Sequence, residues 1–186
     1  MKKNFGAKAW TYPQPVFIIA TYNEDGTPDA MNAAWGGISN DTELSMCLSA
    51  GHKTVKNILK KKAFTVSMAD AAHVVACDYV GIASGNNTPD KMEKAGFHVT
   101  KSEFVDAPVI DELSMVVECE LVSYEEKTCR LVGKIVNVGI EESVLNTEGK
   151  VDLDKLQPIT FDPVNAAYVK LGEKVGNAFK DGMQLK

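Results

Sequence analysis

The stretch Met31-Asn32-Ala33-Ala34-Trp35-Gly36-Gly37, followed after a second strand by Ser49-Ala50-Gly51-His52-Lys53-Thr54-Val55-Lys56-Asn57-Ile58, organises the chain. Its first half reads as a strand over 31–35 that runs into two glycines. Its second half leaves a strand through a small polar loop and begins a helix. The small residues Ala33, Ala34, Gly36 and Gly37 let a flat ring lie close to backbone amides. Ser49, Gly51, His52, Lys53 and Thr54 gather polar and cationic groups at the helix start, where unpaired amides and the positive end of the helix dipole suit a phosphate. Taken as isolated fragments, the same residues also describe a core strand and a polar loop whose helix cap is Thr54. Joined in one stretch, they read as a nucleotide cradle.

Outward from that stretch, the chain alternates hairpins with short helices. Residues 15–22 are rich in Val, Ile and Phe and stop at Asn23-Glu24-Asp25-Gly26, a hairpin turn with 27–35 as the return strand. In 43–49, Glu43, Ser45 and Cys47 alternate with Leu44, Met46 and Leu48, the pattern of a half-buried antiparallel strand. Val55, Ile58 and Leu59 recur at helical spacing in 54–62, and 63–68 returns as a strand. A helix is predicted over 71–84, then a turn-rich segment, then a brief helix over 90–95 closed by Gly96. The longest strand candidates, 113–124 and 128–140, flank the turn Glu125-Glu126-Lys127, with Gly133 marking a bulge or a close backbone approach. A short helix at 152–156, strands at 158–161 and 166–169, and an amphipathic helix over 173–180 complete the chain. Paired hairpins outnumber strand–helix–strand units, so the fold class is mainly β within α+β, a β-barrel with peripheral helices in a single domain spanning 1–186. No GxGxxG follows a strand and no Walker lysine motif occurs, which excludes the Rossmann and P-loop readings.

Composition narrows the function classes. The 186 residues are 45% hydrophobic and 24% charged, as in an ordinary globular domain. A formal charge of −5 without a long basic run argues against nucleic acid as a partner. Lys60-Lys61-Lys62 reads as the solvated end of a helix. The first apolar run, 16–20, is too short to cross a bilayer, and no export signal follows Lys2-Lys3, so no membrane partner and a cytoplasmic location are the expectations. Cys47, Cys77, Cys119 and Cys129 stand singly, without CxxC spacing, and read mostly as small buried hydrophobes rather than as metal ligands or a redox dithiol. Glu118 and Glu120 share a strand face, turned to solvent or paired with Arg130 or Lys134.

With those pieces placed, the sequence resembles the flavin reductase-like, FMN-binding split-barrel family, its flavoredoxin branch in particular. The matching pieces are Gly6-Ala7-Lys8 with Tyr12-Pro13-Gln14-Pro15-Val16, Ala33-Ala34-Trp35-Gly36-Gly37-Ile38, Thr54 with Asn57-Ile58, and Ala63-Phe64-Thr65-Val66. They continue through Asp78-Tyr79-Val80-Gly81-Ile82-Ala83-Ser84-Gly85, Asp90-Lys91, Val105-Asp106-Ala107-Pro108, Glu118-Cys119, Gly133-Lys134-Ile135 and Tyr168-Val169-Lys170-Leu171-Gly172-Glu173. The resemblance implies a six-stranded antiparallel split barrel of Greek-key type, a homodimer with FMN near the subunit interface, and an oxidoreductase. Such a protein passes electrons from NADH or NADPH through FMN to a small-molecule or protein acceptor. The alternative is an FMN-binding electron carrier that does not oxidise nicotinamide itself. Where relatives often carry an arginine before Thr54, this chain has Lys53, which offers a point charge rather than a bidentate fork.

On that resemblance, the cofactor-binding candidates are Asn32, Ala33, Ala34 and Trp35 at the ring's polar edge. Ser49, Gly51, His52, Lys53 and Thr54 would meet the phosphate, with Ser84, Gly85, Asn86 and Lys91 on a second loop approaching the cofactor. Tyr168 packs on the ring or fills the subunit seam. Trp35 contacts the ring or packs as an ordinary aromatic, and His52 holds phosphate or gives a proton. No side chain is assigned as a catalytic nucleophile, because the cofactor carries the redox chemistry, and no metal site is indicated.

Overall fold

The computed structural model describes residues 1–186. Twelve strands and four α-helices follow in the order β1 Gln14–Pro15, β2 Phe17–Tyr22, β3 Pro28–Ala33, β4 Gly36–Asn40, β5 Glu43–Cys47, α1 Lys53–Lys61, β6 Ala63–Met68, α2 Val74–Ile82, α3 Lys91–Ala95, β7 Val99–Lys101, β8 Pro108–Ile110, β9 Met115–Glu125, β10 Arg130–Ile140, α4 Leu153–Leu156, β11 Ile159–Asp162 and β12 Ala167–Lys170. Seven of the strands form one antiparallel sheet in the order β3-β2-β6-β9-β10-β5-β4. Its two edges, β3 and β4, are separated in the chain only by Ala34 and Trp35. Residues that close in sequence cannot stand a full sheet width apart, so the sheet curls until its edges face each other across a gap. The split barrel expected from the sequence is therefore present, with seven strands rather than six.

Sequence chemistry accounts for the curl. β10 is irregular between Val132 and Gly133 and again between Ile135 and Asn137, where bulges tighten the local twist. At Gly133 an added Cβ would run into the Phe64 ring and sit 3.4 Å from the Cys119 Cβ, the close approach that this glycine signals in the sequence. The inside of the curl is packed by Ile19, Leu44, Val55, Ile58, Phe64 and Leu131, each 2% exposed or less. Burial of each such side chain contributes about 1.5–3 kcal/mol. A second apolar cluster, including Ile18, Ala20, Val80, Met92 and Ile110, fills the outside between β2 and the helices. β2 is thus covered on both faces, which is why 15–22 reads as a continuous apolar run rather than an alternating one. β5 is buried on one face only, at Leu44 and Met46, as its alternation requires.

α1 lays Val55 and Ile58 into the barrel and leaves Lys56 and Lys60 in solvent, ending at Lys62 in a left-handed conformation (φ 61°). α3 ends at Gly96 (φ 72°), where a residue without Cβ enters that conformation without strain. Several expectations are corrected. α2 begins at Val74 rather than at 71, because Asp70 accepts the His73 amide at 2.8 Å and Ala71 donates to Gln157. The return strand stops at Ala33, and Gly36–Asn40 becomes an edge strand of its own beside β5. The two-stranded pair β7 and β8, three residues each, went unread because such short strands carry no periodicity.

The helix expected over 173–180 does not form. Residues 172–186 are exposed throughout, with only a short 3₁₀ turn at Asp181–Leu185. An isolated helix that short is not stable without a surface on which to bury its apolar stripe. Cys77 and Cys119 are buried as expected, but Cys47 is exposed and Cys129 half-exposed. Glu120 is exposed opposite Lys134, while Glu118 is 4% exposed and accepts hydrogen bonds from the Ser102 hydroxyl and, at 2.7 Å, from Asn137 Nδ2. No helix is long and apolar enough to cross a membrane.

Candidate functional site

A cavity of about 640 Å³ opens where the end of β3, the Ala34–Trp35 link, the start of α1 and the end of α2 converge. That volume falls within the roughly 300–1,000 Å³ of small-molecule and cofactor sites. Eleven of the residues singled out from the sequence line it: Asn32, Ala33, Ala34, Trp35, Ser49, His52, Lys53, Thr54, Ser84, Gly85 and Lys91. Gly51, Asn86 and Tyr168 do not reach the wall but support residues that do. Met31, Leu48, Val80, Ile82 and Phe161 complete the apolar lining and were not anticipated. In sequence they look like any core residue, and only the curl of the sheet turns them toward a hollow.

At one end the loop 49–52 delivers the chain into α1. The Gly51 amide donates to Ser49 Oγ at 3.4 Å and the His52 amide to the Ser49 carbonyl at 3.2 Å. The N-cap is His52, not Thr54, and its ring forms no capping bond. The first-turn amides of this nine-residue helix, which have no partner within the helix, are therefore left without a side-chain cap, beside the Lys53 ammonium. Across the rim, Asn86 Nδ2 donates to the Gly51 carbonyl at 3.1 Å and Lys56 Nζ to Asn86 Oδ1 at 3.3 Å, so the two loops are stitched together.

Thr54 and Lys91 spend their polar ends on Asp29. The Thr54 hydroxyl donates to Asp29 Oδ2 at 2.5 Å, and Lys91 Nζ lies 3.0 Å from Asp29 Oδ1 and 3.4 Å from the Ala83 carbonyl. All three residues are at most 3% exposed. Gly85 packs directly on this cluster, since a Cβ there would run into the Asp29 carboxylate and lie 3.2 Å from the Lys53 Cβ. Asp29 was not singled out from the sequence. Its one signal was an aspartate inside a strand, where that residue type is depleted.

At the other end, Asn32 Nδ2 donates to the Cys77 carbonyl at 3.0 Å and lies 3.4 Å from the Tyr168 hydroxyl, which donates to Asp78 Oδ1 at 2.7 Å. Tyr168 stands behind Asn32, its ring centroid 6.1 Å from that of Phe161. Burial, then the bond to Asp78, push its hydroxyl up to about 12. Trp35 is 55% exposed at the rim, so it does not act as a core aromatic in this chain. Cys47 and Cys129 also reach the cavity. What the arrangement offers is a hollow with apolar walls, the small residues Ala33 and Ala34 beside Asn32 at one end and an uncapped helix start with a lysine at the other. That shape matches a flat ring carrying an anionic tail.

Comparison with known proteins agrees with this geometry. Residues 9–158 match the family model described as the flavin reductase like domain. The structure superposes on flavoredoxin of Desulfovibrio vulgaris (Miyazaki F) with a TM-score of 0.93 and 37% identity, covering 98% of this chain and 100% of that one. Flavoredoxin from Methanosarcina acetivorans matches with a TM-score of 0.89 and 26% identity over 100% of both chains. An FMN-binding domain of a flavin reductases-like enzyme from Shewanella baltica shares the fold, with a TM-score of 0.79 and 17% identity over 88% of each chain. The curled sheet, the cavity at its split and these likenesses together place the chain in the flavin reductase-like family, on its flavoredoxin branch.

Proposed function

We propose that the cavity holds FMN and that the protein is an oxidoreductase passing electrons from NADH or NADPH to a small-molecule or protein acceptor. The observation that carries this reading is the pairing of two ends in one cavity: the small residues Ala33 and Ala34 with Trp35 at one, and an uncapped helix start beside Lys53 at the other. Bound there, FMN would supply the redox chemistry, taking hydride from a reduced nicotinamide and releasing electrons to the acceptor. The protein's own residues bind and orient. Lys53, Ser49 and the first amides of α1 would hold the phosphate, while the main chain of 33–35 and the Asn32 amide would meet the polar edge of the ring. Hydrogen-bond donors there favour negative charge on the ring, the same logic as an oxyanion hole. Leu48, Val80 and Phe161 exclude water from its faces.

We further infer that two copies associate. Ile38, Val122, Val136 and Val138 are 39–71% exposed on the sheet, and β4 is an unpaired edge, a surface that a second copy would cover. A second reading, an electron carrier without nicotinamide oxidation of its own, is favoured by the exposure of Trp35 at the rim, which leaves the site accessible to a protein partner. Stopped-flow mixing of the purified flavoprotein with NADH and with NADPH under argon separates the two. Rapid bleaching at 450 nm or so, the usual flavin band, supports the oxidoreductase. Bleaching only after a separate reductase is added supports the carrier. Purified protein that lacks a flavin spectrum and binds no added FMN would contradict both.

A further inference from the structure

Asn32, Tyr168 and Asp78 form a hydrogen-bonded chain whose polarity follows from one end. A carboxylate only accepts, so at 2.7 Å from Asp78 Oδ1 the Tyr168 hydroxyl must donate. Its proton spent, the phenol oxygen has only lone pairs to offer the amide of Asn32, 3.4 Å away. The Cys77 carbonyl, 3.0 Å from the same amide nitrogen, also requires a donor. Both neighbours therefore demand the NH₂ end of Asn32. The opposite orientation would set oxygen against oxygen twice.

Gly81 holds the stem of the Asn32 side chain in place. A Cβ at that position would lie 2.8 Å from the Asn32 Cβ, so the α2 backbone is pressed against this side chain. Asn32 lines the cavity. Its Oδ1 takes no hydrogen bond within the chain, and it is not among the buried atoms without partners. The acceptor end thus opens toward the cavity. With its pKa pushed up to about 12, Tyr168 keeps its proton throughout the physiological range, and the polarity of the chain does not reverse.

We propose that Tyr168 and Asp78 are positioning residues that, together with the Cys77 carbonyl, fix Asn32 as an acceptor, so that the site selects ring ligands presenting an N–H between two carbonyls, as flavin N3–H does. This deepens the flavin reading above and rests on it. Neither positioning residue touches the ligand. They add a second penalty on the flipped amide to the one the Cys77 carbonyl already imposes.

The test titrates FMN and N3-methyl-FMN into the full-length apoprotein by flavin fluorescence. Methylation at N3 removes the donor and leaves Asn32 Oδ1 unpaired, so the unmodified chain should bind FMN at least about 30-fold more tightly than the methyl derivative. In Tyr168→Phe, where the Cys77 carbonyl alone orients the amide, that ratio should fall at least about threefold, and in Asp78→Asn, where the new amide can donate to Tyr168 as readily as accept, it should fall less. A tyrosine that only packs against Phe161 would lower both affinities by one factor and keep the ratio, which would overturn the proposal. Equal affinities in the unmodified chain would overturn it alone, leaving the flavin reading standing. Binding of neither flavin would overturn both. Should Tyr168→Phe fail to fold by circular dichroism, the unmodified ratio and Asp78→Asn decide.

Discussion

Asp29 and Asp78 each stand behind one end of the same cavity, and the two ends use a carboxylate differently. Asp29 is buried with Lys91 and Thr54, so its charge is matched by an ammonium and its oxygens are occupied. Asp78 is half-exposed and faces no cation; its effect is to orient Tyr168 and, through it, Asn32. A buried charge requires a counter-charge, because desolvation of an ion without one costs several kcal/mol. A carboxylate that keeps contact with water can instead spend its hydrogen-bonding capacity on setting the direction of a neighbour. One end is therefore a rigid floor beneath the helix start, and the other an oriented polar chain that ends at Asn32.

The largest expected effect breaks the floor. Asp29→Ala leaves Lys91 buried and unpaired, and should destabilise the fold by about 3–5 kcal/mol. For a chain of this size that lowers the thermal midpoint by roughly 10 °C, measurable by calorimetry. Adding Lys91→Met should recover most of the loss, since an apolar pair replaces the ionic one. If the double variant is no more stable than the single, the charge pairing is not what Asp29 contributes.

Gly85→Ala tests the same floor from the other side. Its Cβ would press on the Asp29 carboxylate and the stem of Lys53, so a loss of about 1–3 kcal/mol is expected in urea denaturation, with weaker FMN binding alongside. Gly37, which has open space around it, should accept Ala with little change and serves as the control.

Lys53→Ala sharpens the division of labour. A charge-assisted hydrogen bond contributes about 1.5–3 kcal/mol, so FMN should bind on the order of tenfold more weakly or worse, while riboflavin, which lacks the phosphate, should bind as before. Equal losses for both ligands, measured by isothermal titration, would move the phosphate away from α1. Thr54→Ala should behave as a stability variant instead, because its hydroxyl is committed to Asp29.

The smallest effect concerns the hairpin of β11 and β12 that carries Tyr168. Asp162 in its turn accepts from Tyr12, Asn165 and the Val164 amide, and the bond from Tyr12 above all holds its carboxyl down at about 2. A depressed carboxylate contributes stability above its unfolded pKa, about 3.9. That contribution is lost as pH falls toward its folded value. The midpoint difference between the natural chain and Asp162→Asn should thus be steady above about pH 4 and close progressively toward pH 2. A difference that persists unchanged to pH 2 would show that Asn165 and the turn geometry, not the charge, hold the hairpin.

The fold was largely legible because local chemistry and tertiary structure agree over most of the chain. Asn23-Glu24-Asp25-Gly26 turns, Gly96 caps, β5 alternates and Gly133 approaches Phe64, each for a reason visible in the residues themselves. The extent of the cavity was legible only in part. Asn32 through Trp35 and the approach to α1 carried the small residues and the helix start that a ring and a phosphate need. Leu48, Val80 and Phe161 carried no such mark, since an apolar side chain looks alike whether it faces a core or a hollow.

The chain's own pattern determined that hairpins would pair into one antiparallel sheet and that a polar helix start would follow a strip of small residues, because turn chemistry and hydrophobic period act over a few neighbouring residues. Only the tertiary structure decided which polar groups face the cavity. Thr54 and Lys91 look like ligands in sequence, yet both bind Asp29, 25 and 62 residues away, and the amide of Asn32 meets the Cys77 carbonyl and the Tyr168 hydroxyl, 45 and 136 residues on. Whether a hydrogen-bonding group is spent on the protein or left for a ligand depends on what folding brings beside it, and no local pattern contains that.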